Sequence, residues 1–223
     1  MPVTETEGKK DVRRLNLMLV TIAGLVLAES SAMALSLVEQ NVVELLRESD
    51  AIVVGTVSTV TDGINDKGIP YTEITLSISE SIRGTLKDTY TFRQFGLMKP
   101  RPTADGAMIR MPAPDGFPRF AKGEHVLLFL YPQAERTGLR TTAGLTQGKF
   151  TFGPGFVANG TGNAGLFRNV SLDQALLADS DRRLLATQSG SLSPDDFLGF
   201  VRRAVHGRWV ETGLLSSRGR SGR

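Results

Sequence analysis

The clearest alternation of apolar and polar positions runs from Thr72 to Ile82. There Thr72, Ile74, Leu76, Ile78 and Ile82 interleave with Glu73, Thr75, Ser77 and Ser79. A period of two predicts a half-buried strand. Upstream, Ala51 to Val60 is β-branched and unbroken by polar helix formers, which predicts a strand, with Gly55 inside it marking a bulge or sharp bend. Thr89 to Phe95 predicts a third strand. Glu124 to Tyr131 predicts a fourth, apolar on both faces and so central in a sheet. Leu139 to Phe152 supplies a fifth, kinked at Gly144 and Gly148.

Helical spacing flanks these strands. Val38, Val42, Leu45 and Leu46 fall on one face after a capping-box pattern at Ser36 and Glu39. Ser193-Pro194 precedes Phe197, Phe200, Val201, Ala204 and Val205, an amphipathic helix with Pro at its first position and Arg202 and Arg203 near its negative end. Ser171 to Leu185 reads as a short irregular helix. Five strands in succession with one long loop and flanking helices predict a mainly β protein, a small closed or partly open antiparallel barrel. Closure removes exposed sheet edges.

The N-terminal pattern is different. Lys9, Lys10, Arg13 and Arg14 precede an apolar run from Leu15 to Ala28, followed by Ala32-Met33-Ala34. This reads as a secretory signal peptide over residues 1–34, cleaved before Leu35. The rival is an uncleaved anchor, but fourteen helical residues span only about 21 Å, short of a hydrocarbon core of roughly 30 Å. The expected organisation is a leader (1–34), a helix plus barrel (35–158), an extension with an amphipathic helix (159–211) and a disordered Arg-rich tail (212–223). The expected location is periplasmic or secreted, with no transmembrane span once the leader is removed.

Composition changes the picture in two ways. The 223 residues contain no Cys, which excludes a disulfide framework, thiol catalysis, a Cys-ligated zinc site and an iron–sulfur cluster. With only His125 and His206, a His-rich metal site is excluded as well, and no cofactor is expected. The net charge of +3 and pI near 9.4 suggest nucleic acid until position is considered. Residues 202–223 alone carry six arginines against Glu211, while 35–201 hold 16 basic and 18 acidic residues. The body is therefore mildly acidic. An export leader and few basic–aromatic pairs also argue against nucleic acid as a partner.

The run Ser49-Asp50-Ala51-Ile-Val-Val-Gly55-Thr-Val57 is followed by Glu80-Ser-Ile-Arg-Gly84 and Arg93-Gln94-Phe95-Gly96. Phe120-Ala-Lys-Gly123-Glu124-His-Val-Leu-Leu-Phe-Leu130 and Gln147-Gly148-Lys149-Phe150 come next. This order resembles a family of uncharacterised bacterial exported proteins with the pattern ADxVVxGxV, LKG, RQxGG, FxxGExxLLFL, QGKF. The resemblance covers 49–152, about half the chain. It implies a five-stranded OB-like barrel similar to netrin and tissue-inhibitor-of-metalloproteinases modules. Some relatives are encoded near matrixin-like metalloproteases, which implies a metalloprotease as partner. Those inhibitors chelate the protease zinc through an N-terminal Cys, and a chain without Cys cannot do so. Leu97 stands where the pattern has a second Gly, so the turn or the loop after it differs.

The shared positions read first as architecture. Gly55, Gly84, Gly96, Gly123 and Gly148 suit bends or close backbone approach. Glu124 suits turn amides or a pair with Lys149, and Gln94 and Gln147 are the remaining polar members, with binding as the alternative role. His125 has no Ser-x-Gly elbow, HExxH or paired carboxylate beside it, so a structural histidine is the simpler reading. His206 suits a helix C-terminus. The loop 96–123 is the best functional candidate. It holds five of ten prolines and three of six methionines, Met98, Met108 and Met111, with Lys99, Arg101 and Arg110. Thioethers suit an adaptable contact surface and the cations an acidic partner; a disordered excursion is the alternative. The expectation is an exported, non-enzymatic protein-interaction module. An envelope-associated ligand- or polysaccharide-binding protein and a hydrolase with an unrecognised site are the alternatives.

Overall fold

A computed structural model describes residues 38–102 and 106–218. The expected leader (1–34) and the last five residues of the Arg-rich tail lie outside the described residues.

The fold is mixed α/β and largely antiparallel. Helix α1 (Val42–Glu48) is too short to stand on propensity, so its ends and its burial hold it. The Asn41 side chain accepts from the Val43 and Glu44 amides while the Glu44 carboxylate accepts from the Asn41 amide. The capping box is therefore Asn41/Glu44, and Glu39 pairs with Arg168 instead. Val42, Val43, Leu45 and Leu46 are fully buried.

Strands β1 (Ala51–Ile64), β2 (Pro70–Arg83) and β3 (Thr89–Phe95) form a meander. The β1/β2 register slips between Val54 and Gly55, where a Cβ would sit 2.6 Å from the Ser77 carbonyl oxygen. Only a glycine lets the bulge close that tightly. A two-residue hairpin, β4 (Arg101–Pro102) and β5 (Met108–Ile109), interrupts the long loop. Strand β6 (His125–Leu130) then pairs with β1, β7 (Lys149–Gly153) with β6, and β8 (Phe156–Asn159) with β7. The sheet order is β3-β2-β1-β6-β7-β8. Beyond it come β9 (Val170–Leu172), α2 (Asp179–Ala186), α3 (Pro194–His206) and β10 (Leu215–Ser217).

Where a five-stranded barrel, closed or partly open, was expected, the sheet is open, antiparallel and six-stranded. The cause lies in the segment read as one kinked fifth strand. Leu130 bridges Thr142, but Gly144 and Leu145 take left-handed φ angles of 61° and 57°, and a single 3-10 turn (Leu145–Gly148) follows. The ladder to β6 resumes only at Lys149, and the chain turns back at Gly153-Pro154-Gly155 to add β8 at the far edge. Between the first half of this segment and β3 runs one backbone bond, Arg140 N–H to Arg93 O at 2.7 Å. A second correction concerns the tail: Leu215–Ser217 pair with Val170–Leu172, and Leu215 is buried. The helix expected over 171–185 is a 3-10 turn at Gln174–Leu176 followed by α2.

Both faces are buried along Ala51–Gly55 of β1 and along β6 beyond His125. On one face Ile52, Val54, Leu127, Phe129 and Phe150 meet α1 and α3, with Phe197, Phe200 and Trp209 at the centre. Residues from 42 to 215 share this cluster, so the C-terminal extension is packed on the sheet. On the other face Val53, Val57, Ile74, Leu76, Phe92, Val126 and Leu128 gather under Tyr90 and Phe120. No helix among the described residues is long and apolar enough to cross a membrane.

Candidate functional site

The second face of the sheet is closed by chain that has almost no regular structure. Residues 96–102 and 106–123 cross it as a strap, and several of the polar and glycine residues singled out in the sequence hold it there. At its start the Gly96 N–H donates to Pro70 O at 3.2 Å and Thr72 Oγ1 donates to Gly96 O at 2.8 Å. Gly96 has φ 110°, and a Cβ on it would lie 2.3 Å from the Ala113 nitrogen. The strap thus folds back onto its own beginning, with Leu97 N–H donating to Met111 O at 2.7 Å. Leu97, the departure from the double-glycine pattern, is buried in that return.

Further along, the buried Gln94 donates through Nε2 to Pro118 O at 2.9 Å. Lys149 donates to Arg119 O, pairs with Glu124 at 2.7 Å and lies 4.8 Å over the Phe120 ring. Glu124 accepts from the Ala121 N–H at 3.0 Å, and the Gly123 N–H donates to Val57 O at 2.8 Å. Gln94, Gly96, Gly123, Glu124 and Lys149 therefore converge on one task, anchoring the strap to the sheet. The other residues singled out in the sequence act elsewhere. Gly55 forms the β1 bulge. Gly148 abuts the Ala143 carbonyl. Gln147 holds the chain before α1, accepting from the Gln40 N–H at 2.8 Å and donating to Val38 O at 3.0 Å.

One anchor left no motif in the sequence beyond a turn at Asp62-Gly63. The Asp62 carboxylate accepts from the backbone N–H groups of Met98 (2.7 Å) and Lys99 (3.1 Å) and pairs with Arg101. Burial pushes this carboxyl up, but the Arg101 bond and the two amides outweigh it and leave the group below the usual Asp value. Arg101, expected to meet an acidic partner, is thus committed to Asp62. The Lys99 and Arg110 side chains are exposed on the strap.

The three methionines of the described residues all lie here and all face solvent: Met98 is 50% exposed, Met108 54% and Met111 47%. Large exposed apolar side chains are otherwise few in this protein, so their gathering on one strap is not random scatter.

Between strap and sheet lies a cleft of about 290 Å³. Val60, Thr72 and Gln94 form its floor; Leu97, Met98, Phe117, Arg119 and Phe120 are among its walls. The Gln94 Nε2 must face Pro118, because a carbonyl only accepts. Its Oε1 is buried beside the cleft without any protein partner.

His125 is exposed and stacks on Phe152, with ring centroids 4.5 Å apart. Glu124 is occupied by Lys149 and Ala121, so the two neighbours in sequence do different work. His206 is the last residue of α3. Among the described residues no three His, Cys, Asp or Glu side chains gather as metal ligands. Comparison with known proteins finds no matching family, no matching curated protein and no matching solved structure.

Proposed function

We propose that this is an exported, non-enzymatic interaction module whose contact surface is the strap 96–123, with a partner among exported proteins such as an extracellular metalloprotease. The observation that carries this reading is the exposure of Met98, Met108 and Met111 on a segment bonded to the sheet at both its ends. A mobile loop would lose much entropy on binding; a strap already held in place loses less. Thioether side chains adapt to a partner's shape at small strain. Glu124 is engaged by Lys149 and the Ala121 amide and His125 by the Phe152 ring, which fits an architectural role for both. The backbone bond from Arg140 to Arg93 supports reading β3-β2-β1-β6 and the segment after β6 as a partly open, OB-like curl.

The test is photo-crosslinking in cells. A photoreactive residue placed at Met108 yields a discrete crosslinked species in the exported fraction. The same residue at Arg182, exposed on α2, yields none. Equal labelling from both positions, or from neither, refutes the strap as contact surface.

A further inference from the structure

The cleft beneath the strap combines apolar walls with an acceptor buried behind them, the Gln94 Oε1, which nothing in the protein satisfies and which a donor reaches only as the walls yield. A buried, unpaired amide oxygen costs free energy in the empty form and becomes an asset when a donor reaches it. The site already spends the other half of the Gln94 amide on Pro118, so Oε1 is fixed in place by a bond that a ligand need not disturb. Resting on the reading of the strap as a contact surface, we propose that this cleft receives the side chain of a tyrosine presented by the partner protein. Its phenol O–H donates to Gln94 Oε1.

Size, shape and chemistry each narrow the occupant. A volume near 290 Å³ is at the small end for ligand sites, room for one ring and not for a nucleotide-sized molecule. Val60 in the floor and Leu97, Phe117 and Phe120 in the walls suit an apolar ring body. Phe117 and Phe120 are only half-buried, so they are the walls that give way as a ring enters. Met98 places a thioether at the edge and Arg119 a guanidinium at the rim, both favourable beside an aromatic ring. A single acceptor at depth selects a ring with a donor at its tip. Phenylalanine, lacking that donor, leaves Oε1 as orphaned as before. Tyrosine is also the residue that most often anchors interfaces in this way, with an apolar body and one polar end.

The experiment is an NMR titration of the whole chain with N-acetyl-tyrosinamide, N-acetyl-phenylalaninamide and p-cresol. We expect the tyrosine compound to bind about tenfold tighter than the phenylalanine one, with shifts in the Gln94 side-chain amide signals. In Gln94→Met the preference falls to about one. The wild-type ratio stands by itself should that variant fold poorly. Equal affinities, no binding of either amide, or binding of p-cresol without the tyrosine compound would each overturn the proposal. Crosslinking through Met108 is a separate readout, so strap contacts with no phenol preference would sink this inference and spare the broader one.

Discussion

The two faces of the sheet are covered by opposite means. Against one lie α1 and α3, with Phe197 and Phe200 of α3 fully buried. Against the other lies the strap, with scarcely a turn of regular structure. It is secured from outside by Gln94, Asp62, Glu124 and Lys149. The helix side maximises apolar contact and shows little to solvent that a partner would want. The strap side accepts exposed methionines and an unpaired acceptor. Hydrophobic packing secures the fold, and the polar anchors secure a surface that packing alone would not make.

The largest test of that contrast is Phe200→Ala. Removing a ring that meets Phe167 and Trp209 edge-on should cost about 4 kcal/mol, read as a fall of roughly 12 °C in thermal midpoint. A loss below about 1 kcal/mol would deny the helix-backed face its dominant role. Gly96→Val comes next. A β-branched residue cannot hold φ 110° or fit against Ala113, so about 3 kcal/mol should be lost. Limited proteolysis should then cut first between 97 and 120, while β6 and α3 keep their protection from hydrogen exchange. If cleavage began elsewhere, strap and sheet would not be separable.

Acid should loosen the strap anchor. The Asp62 carboxyl is lowered in the folded state, so its contribution is whole above the usual Asp value and is lost as pH falls through the folded value. Amide signals of Met98 and Lys99 should therefore shift below about pH 4, the usual carboxylate range. Asp62→Asn should cost about 1 kcal/mol and remove that pH response. On the other face Glu80 is lowered by its two bonds from Arg202, and the sign is the same. Glu80→Gln should leave the Met98 signals unchanged. The smallest effect belongs to Met98→Ser, Met108→Ser and Met111→Ser, each expected within about 0.5 kcal/mol of wild type in denaturant midpoint. A larger loss from any of them would make these side chains part of the fold.

Much of the helix side was legible in the pattern of residues. Ser193-Pro194 and the apolar stripe of α3, the alternation of β2 and the two-sided burial of β6 are local regularities with local causes. The strap was legible only as a place: proline and methionine crowded between Gly96 and Gly123. Its anchors were not. Glu124 and Lys149 are 25 residues apart, Asp62 and Met98 are 36 apart, and no spacing rule links such distant positions. That the sheet stays open was hidden for the same reason. Whether the segment after β6 joins β3 or swings toward β8 depends on left-handed turns at Gly144 and Leu145, which leave only a glycine as a trace.

Periodicity, capping residues and the lack of cysteine were enough to say that this chain builds strands and flanking helices and uses neither thiol nor cysteine-bound metal chemistry. Those features act over a few neighbouring residues, and the chain states them directly. The open edge of the sheet, the anchoring of the strap and the stranded Gln94 oxygen arise where distant residues compete for the same space and the same hydrogen bonds. Such competition is resolved only when the whole chain is packed together.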